Sequence, residues 1–490
     1  MRDFLIKASS IILLVCMILP LVACSDESAD TDTTVTTAAT TAAPVEDDPL
    51  AARRAIPDDL PEVNMDGYVM KVSSLEGFNE MFYAEEEVGE PVNDAFYYTR
   101  RNINERFNAD MEVNDDGLDP YQNISNIKSL VSSGDTTYTL ACGHSALLGP
   151  LTLNNHFLNI NNLPHLNFDK PWWFDVEEYS FLDQCYFVPS DMSIVSLDEA
   201  WVLYANKNKM TDYGIEVPYQ AVLDGKWTID MLIGMTKDVY EDLNANNTDD
   251  GEDFYGLFTE SNCHFWLESF GMDTLIKDGD TLHVDFDLDK MSAITEKLYG
   301  YFVDAKGVYL SQGGAGSLQE FSNGQSLFVH NYLRAAKNEI REIQGFDYAI
   351  LPMPKWDEQQ ENYRTSTLSS PYCVMTTLPE ENYEYTGILI EAFSAEGYKE
   401  VLPTYFELAL KTKYATDNES MMMLDIINET KFSNFAWCYA SDGYALILSE
   451  IIQGNSPDFV SKYERKYKVA AKGAEKIQEA FEKMAETNVW

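Results

Sequence analysis

Segments with strand and helix patterns alternate through the first folded part of the chain. Residues 68–74 (YVMKVSS) alternate like a β-strand, and an acidic loop then leads to Pro91, a favoured residue for the first turn of a helix. A helix near 121–132, a strand at 137–142 and a helix from Ser145 are predicted next. This alternation predicts an α/β fold with a largely parallel sheet.

Loops that follow predicted strands are the first candidates for a binding site. Open α/β sheets bind ligands beyond the carboxyl ends of their strands, where Tyr83 and His144 are expected to lie. Residues 143–147 (GHSAL) are similar to a nucleophile elbow but lack its final glycine, so Ser145 is interpreted as a helix N-cap. We therefore predict binding residues here, not a catalytic serine.

The N-terminus has the pattern of an export signal. A basic start precedes an apolar run, residues 11–21, that is too short to span a bilayer, and small residues then lead to Cys24. Residues 21–24 (LVAC) resemble the lipobox of bacterial lipoproteins. The resemblance implies a signal peptide over 1–23, a lipid on Cys24 and a location on the outer face of the cell membrane. An ordinary secretory signal and a short membrane anchor are the alternatives.

The segment after Cys24 is dominated by Thr, Ala, Asp and Ser and cannot bury a core. We predict that residues 24–62 comprise the lipidated cysteine and a disordered tether. The whole chain has 81 acidic against 34 basic residues, a formal net charge of -47. This acidity argues against nucleic acid and anionic membrane surfaces as partners, because both require basic patches.

The later cysteines stand singly, without any CxxC pair, so neither a zinc site nor a disulfide framework is predicted. Buried free thiols are expected, and at most two disulfides could form. The histidines also lack metal-ligand spacing. The cysteines concerned are Cys142, Cys185, Cys263, Cys373 and Cys438.

An oxygen-rich loop predicts a structural calcium site. In residues 242–253 (DLNANNTDDGED), oxygen side chains occupy positions 1, 3, 5, 9 and 12 of a calcium loop, and position 7 offers a backbone carbonyl. Asn247 replaces the turning glycine of an EF-hand, and the final glutamate is an aspartate, as in dockerin-type loops. A solvated acidic loop is the alternative. The predicted ligands are Asp242, Asn244, Asn246, Thr248, Asp250 and Asp253.

Aromatic residues in predicted loops are candidates for ligand contact. Flat aromatic faces stack on the C–H faces of sugar rings, while polar neighbours bind the hydroxyls. For each residue taken alone, core packing is the alternative. The candidates are Trp172, Trp173, Phe265, Trp266, Tyr332, Tyr372, Phe435, Trp437 and Tyr439.

Ordered motifs extend this interpretation to the whole chain. Residues 227–232 (WTIDML, with Thr228 as N-cap), 321–328 (FSNGQSLF) and 346–354 (FDYAILPMP) follow the lipobox and the tether. Together they resemble the extracellular solute-binding proteins of ABC importers, in the carbohydrate-binding branch that includes maltose-binding protein. The resemblance implies a periplasmic-binding-protein-like fold, with two α/β lobes joined by a multi-segment hinge and a ligand cleft between them.

The resemblance also implies lobe boundaries and ligand walls. Lobe one is predicted as 63–190 and 371–430, and lobe two as 191–370 and 431–490. The hinge crossings are expected near 192–197, 369–375 and 430. The implied walls hold His144 in lobe one and Phe265, Trp266, Asn331, Tyr332 and Trp437 in lobe two. The local pattern adds Tyr83, Trp173, Arg334, Tyr372 and Tyr439.

The implied function is capture without chemistry. A monomeric receptor would close over a sugar or oligosaccharide and deliver it to a membrane permease, with no catalytic cofactor and no nucleic-acid partner. A secreted lipoprotein glycoside hydrolase is one alternative, because 81 acidic residues offer many carboxylate pairs. A peptide or amino-acid binder of the same fold is the other.

Overall fold

The computed structural model describes residues 50–487, except 116, 175, 312–315, 338–339, 341–344, 368–371, 407–409, 411–416, 440–442 and 455. The predicted signal peptide and the lipidated Cys24 lie outside the described residues. No helix within the described ranges combines the length and apolar character that a membrane span requires.

Strands form two larger sheets and two short pairs. The strands are β1 (Tyr68–Ser74), β2 (Ala109–Asp115), β3 (Leu140–Cys142), β4 (Trp201–Asn206), β5 (Tyr240–Glu241), β6 (Phe254–Glu260), β7 (Ile276–Asp278), β8 (Thr281–His283), β9 (Val308–Ser311), β10 (Ser326–Tyr332), β11 (Tyr348–Pro352), β12 (Thr365–Ser366), β13 (Tyr372–Val374) and β14 (Lys431–Phe432).

Helices pack against both larger sheets. The α-helices are α1 (Ala51–Arg54), α2 (Pro91–Phe107), α3 (Pro120–Ser133), α4 (Ser145–Thr152), α5 (Val176–Tyr179), α6 (Val195–Asp198), α7 (Lys207–Asp212), α8 (Tyr219–Leu223), α9 (Ile229–Thr236), α10 (His264–Ser269), α11 (Leu288–Tyr299), α12 (Gly316–Ser322), α13 (Tyr383–Glu396), α14 (Asn418–Glu429), α15 (Phe435–Tyr439), α16 (Ile447–Gln453) and α17 (Phe459–Thr487).

Lobe one is built on the sheet β13-β3-β1-β2. Its strands β2 and β3 both run parallel to β1, and β13 returns antiparallel to β3. Because β1 and β3 are parallel, the loops that follow them leave the sheet at one edge. The buried strands alternate with α2, α3 and α4, which confirms the predicted α/β class.

Lobe two is built on six strands in the order β11-β4-β10-β6-β5, with β9 also paired to β6. The strands β6, β9 and β10 are parallel, while β4 runs antiparallel to β10. The carboxyl ends of β6 and β10 therefore share an edge with the first residue of β4. At that edge lie Glu260, Tyr332 and Trp201.

The hinge consists of chain segments that cross between these sheets. One segment precedes β4, a second runs from β12 towards β13, and a third contains β14. The short strands β12 and β14 pair in parallel, and Thr367 forms a bridge with Ala200. The crossings near 192–197, 369–375 and 430 stay a prediction from the family resemblance, and residues 368–371 lie outside the described residues.

Packing divides the chain differently from the predicted lobe boundaries at the C-terminal side. Helix α14, predicted in lobe one, packs on β11 and α8 of lobe two. Helix α15, predicted in lobe two, packs on α4 of lobe one. Helix α17 touches both lobes, since Phe481 packs on Tyr186 and Gln478 accepts a hydrogen bond from the backbone N of Leu282. Sequence order alone cannot show which lobe each of these C-terminal helices joins, because a helix buries its apolar face wherever the fold offers a partner.

The predicted tether is too long at its C-terminal end. Residues 50–62 include α1, and Leu60 is buried. The Arg54 guanidinium contacts the Glu400 carboxylate at 2.6 Å, and Lys170 Nζ lies 2.6 Å from an Asp59 oxygen. Polar residues of this segment therefore dock on lobe one through ion pairs, which a composition-based prediction of disorder misses.

Helix starts follow the capping rules at several positions but not at Ser145. Pro91 opens α2, Asp119 forms a capping box on α3, and Thr228 Oγ1 accepts from the Met231 N–H of α9. At α4, however, His144 is the N-cap residue and makes no side-chain cap. The N-cap predicted at Ser145 is wrong, because that residue already lies in the first turn and its hydroxyl is buried without a partner.

All five later cysteines are buried, as the sequence predicted, and none of them forms a disulfide. Burial raises the pKa of the Cys185 and Cys263 thiols to about 12, so they are held as neutral thiols.

Candidate functional site

An aromatic stack covers the carboxyl edge of the lobe-two sheet. The Trp201 ring lies 3.9 Å from the Phe265 ring and 4.5 Å from the His330 ring, centroid to centroid, and is nearly parallel to His330. The Tyr332 ring approaches the same tryptophan at 3.9 Å. We refer to Trp201, Phe265, His330 and Tyr332 as the lobe-two wall.

Strand geometry explains how this wall forms. Tyr332 stands opposite Trp201 in the antiparallel register of β10 and β4. His330 and Tyr332 are two residues apart on one strand and therefore face the same side of the sheet. Phe265 reaches that side from α10, which begins soon after β6 ends.

Trp437 extends the stack towards lobe one. Its ring lies parallel to the His264 ring of α10 at 4.2 Å, and its edge meets the His144 ring at 5.9 Å. Trp437 belongs to α15, which packs so closely on α4 that a Cβ at Gly149 would overlap the backbone carbonyl of Cys438. The tryptophan is thus held by lobe one while it stacks on lobe two.

Several polar atoms around this stack are buried and make no hydrogen bond with any residue that the structure describes. Such atoms cost free energy unless a water or ligand satisfies them. Their position between the carboxyl edges of two α/β sheets is where ligands bind in such folds. These atoms are Nδ1 of His144, Nδ1 of His264, Nε1 of Trp266, both ring nitrogens of His330 and Nε1 of Trp437.

Burial keeps the histidines of the cleft neutral. It lowers the pKa of His264 to about 3, with a smaller contribution from His144, and it lowers the pKa of His144 itself. The pKa of His330 is lowered by burial and, to a smaller extent, by His264. A neutral imidazole both donates and accepts a hydrogen bond, which suits a hydroxyl-bearing ligand.

A buried carboxyl connects the cleft to the hinge. Glu268 of α10 accepts a hydrogen bond from Asn434 Nδ2 at 2.9 Å and another from the Ser366 hydroxyl. Ser366 belongs to β12, and Asn434 follows β14, so one side chain bridges two hinge segments. Burial raises the pKa of Glu268 to about 7.

The structure brings together a large part of the predicted ligand wall. Phe265, Tyr332, His144 and Trp437 belong to the stack described above. Arg334 lies with its guanidinium 5.0 Å from the Tyr332 ring. The remaining two, Trp266 and Asn331, are buried beside them, with Trp266 5.4 Å from the His330 ring.

Other predicted contacts are packed elsewhere. Trp173 is a core residue of lobe one, whose indole N–H donates to Glu391 at 3.0 Å. The Tyr372 ring packs at 5.0 Å on Phe82, and Tyr439 packs at 4.6 Å on Phe435. Both tyrosines are buried. For these three residues, core packing is the better interpretation.

Tyr83 also lies apart from the stack. Its ring sits 5.0 Å from the Arg100 guanidinium beside α2, and no ring contact joins it to the cleft aromatics among the described residues.

Trp201, His264 and His330 were missed from the sequence. A signal existed for His330, since its spacing from Tyr332 places both on one face of a strand. His264 directly precedes the predicted Phe265, and Trp201 directly follows a hinge crossing. Histidines without metal-ligand spacing match no sequence motif. Stacking and hydrogen bonding require no fixed spacing, so these roles could not be predicted from a motif.

The structure describes all residues of the predicted calcium loop, 242–253. Asn247 takes a left-handed backbone with φ 57°, as the turning position of such a loop requires. One Asp242 oxygen accepts from the Asn247 N–H at 3.0 Å, and the other is buried without a partner. Asp253 accepts hydrogen bonds from Leu243 and Tyr240. Among the residues that the structure describes, no group of three or more His, Cys, Asp and Glu side chains is arranged to hold a metal.

Comparison with known proteins finds similarity in structure but no match among family models or curated sequences. No family model matches the sequence. No curated protein matches it either. Solved structures do match. Maltose-bound MalE3 of T. maritima is 13% identical, with a TM-score of 0.54 over 82% of this chain and 100% of that one.

Two further solved structures are similar to this chain. The galacto-N-biose/lacto-N-biose I-binding protein of an ABC transporter from Bifidobacterium longum is 11% identical, with a TM-score of 0.55 over 86% of this chain and 98% of that one. A cyclo/maltodextrin-binding protein in complex with maltotetraose is 16% identical, with a TM-score of 0.53 over 86% and 99%. The chain has the two-lobed MalE-type fold. That fold confirms the predicted periplasmic-binding-protein-like architecture.

In the MalE-type fold of this chain, the aromatic stack lies where the lobes meet. The His264 ring lies 5.3 Å from the Phe265 ring of the lobe-two wall and stacks on Trp437, which in turn meets His144 of lobe one. The arrangement offers flat faces, neutral imidazoles and unsatisfied donors.

Proposed function

We propose that this protein is a receptor that captures a sugar or oligosaccharide by lobe closure and delivers it to an ABC permease. The observation that carries the proposal is the aromatic stack with unsatisfied donors at the junction of two lobes in a MalE-type fold. The similar solved proteins are described as bound to maltose, lacto-N-biose and maltotetraose. Because one chain supplies both walls, a monomer suffices.

Closure follows from the placement of Trp437. Some ligand contacts would exist only when Trp437 lies close to His264. The binding free energy of these contacts would favour the closed state over the open one. In the closed state the sugar is surrounded by aromatic faces and its hydroxyls satisfy the buried donors. The proposal assigns no catalytic residue and no catalytic cofactor.

A ligand screen tests this function. We expect the melting temperature of the purified protein to rise with at least one oligosaccharide, and chromatography to recover that sugar unchanged. Oligopeptides and amino acids serve as the control for a peptide receptor of the same fold. Hydrolysis of the sugar would establish a glycosidase instead, and stabilisation by peptides alone would establish a peptide receptor.

We propose that a lipid on Cys24 anchors the receptor to the outer face of the cell membrane. The lipobox pattern of residues 21–24 supports this location. Replacing Cys24 with alanine should move the protein from the membrane fraction to a soluble fraction and leave ligand affinity unchanged. Replacing Cys16, which lies before the predicted cleavage point, is the matched control. Membrane retention of the Cys24→Ala protein would contradict the anchor.

We also propose that residues 242–253 bind a structural calcium ion. The unpartnered Asp242 oxygen and the left-handed Asn247 support it. Calcium at millimolar concentration should raise the melting temperature by roughly 3 °C or more. Asp242→Asn should abolish that rise, whereas Asp238→Asn, at an exposed position, should preserve it. An unchanged melting temperature with calcium and with chelator would eliminate the site.

A further inference from the structure

Three carboxylates lie at the hinge edge of lobe two, and one of them differs from the other two. Glu199 pairs with the Arg334 guanidinium. Asp198 Oδ2 lies 2.7 Å from Lys337 Nζ. The side-chain carboxylate of Glu260, in contrast, has no hydrogen-bond or ion-pair partner among the residues that the structure describes. Its carboxylate is therefore available to a ligand.

Glu260 is placed beside the lobe-two wall. It is the last residue of β6, it is only 9% exposed, and it stands next to Ser311 of β9. Glu260 also acts on the phenol of Tyr332. The pKa of Tyr332 is raised mainly by burial, then by Glu199 and then by Glu260. Burial also raises the pKa of Glu260 itself to about 7.

An unpaired buried carboxylate is costly, and two ligand chemistries could satisfy it. Sugar hydroxyls could donate hydrogen bonds, or a ligand cation could form an ion pair. Three observations favour the cation. The other two carboxylates at this edge are already matched by cations. The adjacent wall presents aromatic faces that attract cations, and a formal net charge of -47 draws cationic ligands towards the protein.

We propose that the ligand of this cleft carries a protonated amino group that pairs with Glu260, and hence that the receptor binds an amino sugar or an oligosaccharide of amino sugars. The inference rests on the proposed sugar-receptor function and adds the charge class of the sugar. In the bound state the ammonium donates to the Glu260 carboxylate while the rings of the wall stack on the sugar.

Calorimetry with three sugars of equal length tests the inference: oligomers of glucosamine, of N-acetylglucosamine and of glucose. We expect the unmodified protein to bind the glucosamine oligomer at least tenfold more tightly than either neutral oligomer. In Glu260→Gln this ratio should fall close to one, with the neutral affinity unchanged, because glutamine preserves shape and removes charge. The matched control Glu296→Gln, at an exposed position on α11, should preserve the ratio.

The outcomes separate this inference from the function on which it rests. Equal or tighter binding of a neutral oligomer by the unmodified protein would overturn the amino-sugar class and leave the sugar receptor standing. An unchanged ratio in Glu260→Gln would overturn the role of Glu260. A neutral sugar as the ligand found in the screen, with none of these three oligomers bound, would also overturn the amino-sugar class, whereas a screen in which no sugar binds would overturn the receptor proposal itself. If Glu260→Gln does not fold, the ratio measured with the unmodified protein decides the ligand class.

Discussion

Trp437→Ala is expected to weaken ligand binding at least a hundredfold, a loss of about 2.7 kcal/mol. The tryptophan is the one residue of the stack that contacts His144 and His264 at once. Its removal takes away a stacking face for the ligand, and it also removes the contact by which α15 reaches lobe two. Both effects disfavour the closed state, so the losses add to each other. Calorimetry with the sugar identified in the ligand screen measures the change.

A matched tryptophan separates this effect from a general loss of packing. Trp356 is also partly buried, but it packs on Phe270 and Lys297, away from the stack. Trp356→Ala should lower the melting temperature yet preserve ligand affinity. Equal affinity losses in the two variants would show that Trp437 acts only through stability and would contradict its proposed contact with the ligand.

Gly149→Ala is expected to destabilise the protein by roughly 2–4 kcal/mol. Its added methyl group would overlap the backbone carbonyl of Cys438, and backbone on both sides cannot move aside cheaply. The helices α4 and α15 would be forced apart, which also displaces Trp437. Thermal or denaturant unfolding, together with calorimetry, should show a fall in both stability and affinity.

Gly234→Ala provides the control for this substitution. Gly234 also lies inside a helix, α9, but a Cβ there meets nothing within 4 Å. Because alanine favours helix over glycine, Gly234→Ala should stabilise the protein by about 0.5–1 kcal/mol. A Gly149→Ala protein as stable as the unmodified one would show that α4 and α15 are not in close contact.

Local patterns predicted a large part of the architecture because they reflect local physical rules. Strand β1 matches its predicted range, α2 begins at the predicted Pro91, and α9 starts after the predicted cap at Thr228. Helix α9 ends at Thr236 because β5 follows it in the lobe-two sheet. The pairing of β5 with β6, which are apart in sequence, sets that boundary. No local sequence pattern predicts it.

The site was harder to predict than the fold. An aromatic residue in a loop looks the same in sequence whether its indole N–H donates to a buried carboxylate, as in Trp173, or stays unsatisfied at a cleft, as in Trp437. The difference lies in partners that are distant in the chain. Family resemblance identified the loops that hold Phe265 and Trp437, but it did not reveal Trp201 or His330, because their role depends on the register between β4 and β10.

The residues of the aromatic stack are spread widely along the chain, from His144 to Trp437. No fragment shorter than residues 144–437 contains all of them, which limits when the proposed site can form. For the proposed receptor, an unfinished chain gains ligand affinity only when α15 packs on α4. Ligand binding by the proposed receptor is therefore thermodynamically linked to the folding of both lobes. The bound solute would stabilise the folded, closed molecule.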